Sequence, residues 1–197
     1  MSLLPDIYLA SRSPRRQELL DQIKIHYQVV VPEVPEQQQP MESPEDYVCR
    51  LALSKAQAGW AMIPATEKRP VLGADTVVVL DGTVMEKPRD RDEGIAMLAA
   101  LSGKTHQVIT GIALVTESDY DSALSVSQVY FRQISKQERA AYWATGEPVD
   151  KAGGYAIQGV AAAFVERIEG SYSGIVGLPL FELTNLLTRQ TIHTIKL

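Results

Sequence analysis

The stretch Val71-Leu72-Gly73-Ala74-Asp75-Thr76-Val77-Val78-Val79-Leu80 constrains the fold more than any other. Val71-Leu72 and Val77–Leu80 form a nearly continuous apolar run without the alternation of a half-exposed strand, so they predict a central strand covered on both faces. Gly73-Ala74-Asp75-Thr76 interrupts it. An aspartate inside such a strand costs several kcal/mol unless it is paired, hydrogen-bonded or bound to a metal. Asp75 is therefore the best single catalytic candidate, the alternative being a capped structural aspartate. Thr76 adds a hydroxyl beside it. Asp81-Gly82 reads as a hairpin turn, and Thr83–Glu86 returns to Lys87-Pro88. Lys87 can thus come back toward the Asp75 strand, although alone it would be a surface charge.

Close to the N-terminus, Ile7–Ala10 reads as a short strand, followed by a polar turn and a helix start in Ser11-Arg12-Ser13-Pro14-Arg15-Arg16. Ser13 suits the N-cap, and Pro14 the first helical position, where no backbone donor is needed. Arg15 and Arg16 then fall in the first turn, where cations oppose the helix dipole. An anion over the free N–H groups of that turn would reverse the sign of the effect. Guanidinium forks are well matched to phosphate oxygens. Local chemistry leaves a second reading open, two solvated surface arginines.

The helix from Pro14 is expected to reach about Lys24, with Leu19, Leu20 and Ile23 as its apolar stripe. Tyr27–Val31 is a second strand, ending at Pro32-Glu33-Val34-Pro35, which is stiff because each proline restricts its predecessor. Glu33 is either a well-placed ligand carboxylate or a solvated loop residue. Ser43-Pro44-Glu45-Asp46 opens a helix running to about Met62, with Tyr47, Val48, Leu51, Ala58 and Met62 on one face. Lys55 shares that face, so it either snorkels outward or meets an anion. Asp90–Leu101 reads as a helix, and His106–Thr116 with Ala123–Ile134 as an antiparallel pair. Ser135-Lys136-Gln137-Glu138 is a capping box opening a helix to about Thr145, whose Tyr142 and Trp143 read as packing residues. The Asp150–Gly159 segment is rich in glycine and charge. Its three glycines allow close backbone approach to a ligand, and Gln158 offers an amide edge of the kind that reads a base. No G-x-G-x-x-G or Walker signature occurs. Ala162–Ile168 is expected as a strand, and Gly177-Leu178-Pro179 leads into a last helix carrying Leu183, Leu186 and Leu187.

Composition narrows the function classes. With 45% hydrophobic and 22% charged residues, the 197-residue chain has the make-up of one globular domain spanning 1–197. A formal charge of −5 argues against a general nucleic-acid binder but allows a small anion in a locally basic pocket. The single cysteine, Cys49, excludes a disulfide framework and a cysteine zinc site, and reads as a buried helix thiol. His106, with only His26 and His193 besides it, makes a histidine metal site improbable on count alone. No export signal or apolar run of about 18 residues occurs, so the expectation is a soluble cytoplasmic protein without a membrane span.

Taken together, Ser11-Arg12-Ser13-Pro14-Arg15-Arg16, Glu33, Lys55, Gly73-Ala74-Asp75-Thr76, Lys87-Pro88, Asp150-Lys151-Ala152-Gly153, Ile157-Gln158-Gly159 and Gly177-Leu178-Pro179 closely resemble the Maf family of nucleoside triphosphate pyrophosphatases, in family order over essentially the full length. The resemblance implies an α/β fold with an elongated, twisted mixed β-sheet flanked by helices and two lobes around a central cleft, similar to inosine-triphosphate pyrophosphatases. It implies hydrolysis of a nucleoside triphosphate to the monophosphate and diphosphate with a divalent cation, Mg²⁺ or Mn²⁺, in a house-cleaning role. Arg15, Thr76 and Gln158 match the subgroup acting on dTTP and UTP, as opposed to 7-methyl-GTP. By the same resemblance Asp75 would be the general base or a metal ligand, and Glu33 would help hold the metal. Arg15, Arg16, Lys55 and Lys87 would neutralise the triphosphate, Ser11 would be a further substrate-binding residue, and Thr76 and Gln158 would contact the pyrimidine. Arg12 stands where relatives are expected to carry a small residue, and its role is open. A homodimer is implied by resemblance alone. The competing reading is a nucleotide-binding regulator of septum formation and division, which a buried Asp75 argues against, because a mere phosphate binder gains nothing from an adjacent negative charge.

Overall fold

In the computed structural model, which describes residues 4–192, the elements follow in chain order. They are β1 (Ile7–Ala10), α1 (Pro14–Gln22), β2 (Tyr27–Val30), α2 (Pro44–Met62), β3 (Val71–Leu80), β4 (Thr83–Met85), α3 (Arg91–Leu101), β5 (Thr105–Val115), β6 (Tyr120–Phe131), α4 (Lys136–Ala144), β7 (Val165–Glu169), α5 (Tyr172–Val176) and α6 (Leu180–Arg189). Short 3₁₀ turns lie at Ala65–Glu67, Ala152–Gly154 and Val160–Phe164. The strands form one mixed sheet in the order β2-β1-β3-β5-β6-β7, with β4 paired to β3. β1 runs parallel to β2 and β3, and the remaining pairs are antiparallel.

As expected of a doubly covered strand, every residue of β3 is buried except Thr76, which is half-buried. Alternation along the strand divides its side chains between two cores. Val77 and Val79 pack with Tyr47, Val48 and Leu51 of α2. Leu72, Ala74, Val78 and Leu80 join the larger core on the opposite face, with Leu9, Leu98, Leu101, Phe131 and Leu183.

Helix α2 begins as expected, Ser43 Oγ accepting the Asp46 N–H with Pro44 at the first position. Its buried face runs through Tyr47, Val48, Leu51, Ala52, Ala56 and Gly59, not through Ala58 and Met62; Met62 is 56% exposed. The stripe shifts onto small residues because the helix lies almost against the sheet backbone. A Cβ on Gly73 would sit 2.1 Å from the Ala52 carbonyl oxygen, and one on Gly111 2.7 Å from that of Val48. Gly73 therefore interrupts the apolar run to admit the helix.

The sheet is notched at β3. On one edge β1 pairs with β3 only at Tyr8↔Val71 and Leu9↔Leu72, and β4 pairs only from Val78↔Met85 to Leu80↔Thr83. Between them residues 73–77 have no strand partner on that side. The other edge is continuous, pairing β5 from Val71↔Val115 to Val79↔Gln107. The notch opens beyond the carboxyl end of β1, where open sheets with parallel strands place their ligands.

Several expectations shift. Ser13 stands at the N-cap of α1, but its side chain makes no capping bond. The helix ends at Gln22, and Lys24 adopts a left-handed φ of 57°. The expected strand Ala162–Ile168 is instead the Val160–Phe164 turn followed by β7. That turn forms because the Val160 and Ala161 N–H groups donate to the Glu147 carboxylate. β6 starts three residues before Ala123 and stops at Phe131, since the Ile134 N–H turns away to donate to Ser102 Oγ. The short helix α5 had no sequence counterpart. Cys49 is half-buried rather than buried, and burial with the nearby Asp46 and Glu45 charges pushes its thiol up. The capping box of α4 is complete, Tyr142 is buried, and Trp143 packs over Gly94. His193 lies outside the described residues. No described helix is long and apolar enough to cross a membrane.

Candidate functional site

The notch widens into an open cleft of about 820 Å³, lined by the β1–α1 turn, the segment after β2, Asp75 and Thr76, Lys87, the 150–158 segment and the end of α5. Because successive β3 side chains point oppositely, Asp75 and Thr76 serve different sides of it.

On the Thr76 side, Arg16 acts as a three-way clamp. Its Nε donates to the Gly177 carbonyl at 2.8 Å, Nη1 to Ser11 Oγ at 3.1 Å and Nη2 to Thr76 Oγ1 at 3.2 Å. Thr76 Oγ1 lies 2.9 Å from Thr110 Oγ1, and Thr110 donates to the Gly174 carbonyl. Burial lowers the Arg16 pKa against the opposing pull of Asp75. Arg16 is thus committed to the protein, unlike the free fork expected of both arginines. Arg15 is half-buried on the cleft and makes no hydrogen bond or ion pair among the described residues. The first-turn N–H groups of α1, without a side-chain cap, face no intrahelical acceptor.

On the Asp75 side, Lys55 resolves its two readings: it meets anions. Its Nζ is 2.7 Å from Asp75 Oδ1 and 2.5 Å from Glu36 Oε1, and Lys87 Nζ is 3.7 Å from Glu36 Oε2. Asp75 is only 8% exposed. Burial pushes the Glu36 carboxyl up, but its hydrogen bond with Lys55 and the charges of Lys55, Lys87 and Arg16 hold it below the usual carboxylate range. Glu86 goes the other way, raised by burial and by the Asp75 and Glu36 charges despite a hydrogen bond from Tyr47. Burial and the same carboxylates raise the Tyr47 phenol.

The 150–158 segment closes the cleft. Asp150, Gly153 and Gly154 all adopt positive φ. A Cβ on Gly153 would lie 3.0 Å from Val78, so here a glycine serves the protein's own packing. Lys151 is held low by burial and by the Arg15 charge. Gln158 is exposed on the lining.

The structure therefore brings Ser11, Arg15, Arg16, Lys55, Asp75, Thr76, Lys87 and Gln158 to one cleft. Glu33 also lines it, but is exposed and makes no hydrogen bond or ion pair among the described residues. Glu36, for which the sequence carried no expectation, is a second carboxylate that meets Lys55 beside Asp75. Lys55 offered the only signal: a lysine on a buried face needs compensating acids. No group of three or more His, Cys, Asp or Glu side chains is placed to hold a metal ion among the described residues.

A notched mixed sheet whose cleft gathers arginines and lysines around a nearly buried aspartate defines an α/β protein equipped to bind an anionic ligand beside a carboxylate. The Maf-like protein model matches residues 6–190, and the chain belongs to the Maf family. It is 58% identical over 186 residues to a dTTP/UTP pyrophosphatase of Alkalilimnicola ehrlichii, covering 93% of this chain and 92% of that protein. It is 55% identical to the protein of that name from Saccharophagus degradans, covering 92% and 87%, and 52% identical to that of Salmonella typhimurium, covering 92% and 91%. A solved structure, the Staphylococcus aureus Ham1 protein, overlays at a TM-score of 0.42 with 15% identity, covering 66% of this chain and 72% of that one.

Proposed function

We propose that this chain is a pyrophosphatase hydrolysing dTTP and UTP to the monophosphate and diphosphate. The observation that carries the reading is the Lys55–Asp75 pair on the cleft floor, in a chain whose relatives bear that activity in their names over most of its length. Asp75 takes a proton from water as the water oxygen bonds to the α-phosphorus. The bond from that phosphorus to the α–β bridging oxygen breaks, and its electron pair leaves on diphosphate. Arg15, the α1 amides, Lys55 and Lys87 neutralise the phosphates. Arg16 holds the Ser11 turn and Thr76 in place. Thr76 and Gln158 face the pyrimidine, and modified pyrimidine nucleotides fall within the same chemistry.

The donor set fits Mg²⁺ or Mn²⁺. Mg²⁺ commonly takes one or two protein carboxylates and completes its shell with phosphate oxygens and water, so a cluster of three acids is not required. Asp75 and Glu36, which face each other across one ammonium, would hold it, with Glu33 also on the cleft lining. The ion would supply charge neutralisation to the phosphates. A cytoplasmic homodimer working on free nucleotides, with no nucleic-acid or membrane partner, completes the reading; the formal charge of −5 supports the partner assignment, and the dimer rests on family resemblance.

The test is diphosphate release from a nucleoside triphosphate panel with Mg²⁺ or Mn²⁺, wild type beside Asp75→Asn. Turnover of dTTP and UTP, little of 7-methyl-GTP, and a folded but inactive variant are expected. Nucleotide binding without hydrolysis by the wild type would overturn the enzymatic reading. A preference for 7-methyl-GTP would overturn the roles of Arg15, Thr76 and Gln158.

A further inference from the structure

Gln158 is exposed, yet the backbone on either side of it is tied to one buried pair. Tyr142, 2% exposed, reaches from α4 and donates its hydroxyl to Glu147 Oε1 at 2.7 Å. The same hydroxyl oxygen accepts the Ala156 N–H at 3.1 Å. Glu147 in turn accepts the Val160 N–H through Oε2 at 2.9 Å and the Ala161 N–H through Oε1 at 3.3 Å. One phenol and one carboxylate thus hold the chain two residues before Gln158 and two and three residues after it. Gly159 completes the arrangement, because a Cβ there would lie 2.2 Å from Glu147 Oε2. Ile157, beside Gln158, is buried in the larger core. Burial raises the Glu147 carboxyl, but the Tyr142 and backbone hydrogen bonds hold it ionised, below the ordinary range.

A side chain that reads a base must be held within a fraction of an ångström by supporting groups. The Tyr142 ring is fixed by edge-on packing against Phe164, so the support is anchored in the core. Neither Tyr142 nor Glu147 lines the cleft.

We propose that Tyr142 and Glu147 are positioning residues for substrate selection: they brace the Ala156–Ala161 segment so that Gln158 meets the base of the nucleotide. The inference rests on the reading of Gln158 given above. It assigns the brace to recognition of the base and not to the phosphate chemistry.

The experiment is steady-state kinetics on dTTP for the full chain carrying Tyr142→Phe, Glu147→Gln, Gln158→Ala, and each of the first two combined with Gln158→Ala. Inhibition by inorganic diphosphate, which has no base, is measured alongside. Loosening the brace, which in Tyr142→Phe removes both hydrogen bonds of the hydroxyl, should raise KM about five- to tenfold, with kcat within about twofold. Diphosphate inhibition should be unchanged, and there should be little further rise in KM once Gln158 is already alanine. Tyr142→Phe keeps the buried ring, so it reports on the hydroxyl even where Glu147→Gln fails to fold. If Gln158→Ala raises KM but Tyr142→Phe does not, the brace is refuted and the role of Gln158 stands. If Gln158→Ala leaves KM unchanged, the base-reading role falls and the brace falls with it. Equal losses of dTTP turnover and diphosphate binding would show a general structural role and refute the proposal.

Discussion

Acidification should weaken this protein through one buried histidine. His106 on β5 is 2% exposed. Its Nε2 lies 2.7 Å from the Tyr155 hydroxyl, and its Nδ1 has no hydrogen-bond partner among the described residues. Phe131 and Tyr155 pack edge-on against the ring. Charging the imidazole would add a cation with nothing to receive its second N–H, and burial accordingly pushes its pKa down to about 4 from 6.5. The folded pKa lies below the unfolded one, so the folded state binds fewer protons between them. The contribution is complete above pH 6.5, is lost as pH falls through the window from 6.5 toward 4, and levels off below it. A slope of 1.36 kcal/mol per pH unit gives a loss of about 2 kcal/mol between pH 7 and pH 4.5. For a chain of this size that is roughly 5–10 °C in Tm. The assay is urea unfolding at both pH values for the wild type and His106→Phe. The variant leaves the Tyr155 hydroxyl unpaired, a cost of about 1 kcal/mol that is the same at both pH values, so its loss on acidification should be smaller by about the stated amount. The ion-paired carboxylates Glu42 and Glu138, both held to about 2, are lost only as pH falls from 4.5 toward 2. They therefore leave this window nearly untouched. Equal losses in wild type and variant would refute the assignment to His106.

Three further outcomes are expected. Gly73→Ala puts a methyl group 2.1 Å from the Ala52 carbonyl oxygen, which α2 can relieve only by moving off the sheet; urea midpoints should register about 3 kcal/mol or more of destabilisation. Arg16→Lys keeps the charge but cannot hold Ser11, Thr76 and Gly177 together, so kcat/KM for dTTP should fall about tenfold or more; unchanged kinetics would show that the clamp is idle. Glu36→Gln should weaken the apparent Mg²⁺ affinity, read from a metal titration of activity, by about tenfold; an unaltered titration would remove Glu36 from the metal-holding pair.

What could be read in advance was whatever depends on local backbone chemistry. The N-terminal boundary of α2, the capping box of α4, the β3–β4 hairpin at Asp81-Gly82 and the doubly buried β3 all follow from side chains acting within a few residues of themselves. What was missed depends on contacts between distant segments. The turn at Val160–Phe164 looks like an apolar strand until Glu147 arrives to accept its first N–H groups. The α2 stripe moves onto Ala52, Ala56 and Gly59 only because Gly73 and Gly111 invite the helix so close. At the site, Asp75 was legible because an acid in a β-rich apolar run needs a reason. Glu36 was not, since its partner Lys55 stands nineteen residues away on another element. Arg16 was found for its chemistry, but its engagement with Gly177, across the whole length of the chain, was invisible.

The pleat of β3 carries a last consequence. Adjacent residues of one strand deliver an acid to one side of the cleft and a hydroxyl to the other, so their assignment depends on parity along the chain. A single inserted or deleted residue between Val71 and Asp75 would turn Asp75 and Thr76 each to the opposite face of the strand, taking the carboxylate off the Lys55 side and the hydroxyl off the Arg16 side. The nine-residue ladder to β5 resists such a slip. Length variation should therefore be tolerated at the Asp81-Gly82 tip and between β5 and β6, where nothing downstream depends on odd or even. Within β3 it should abolish activity even where the sheet still forms.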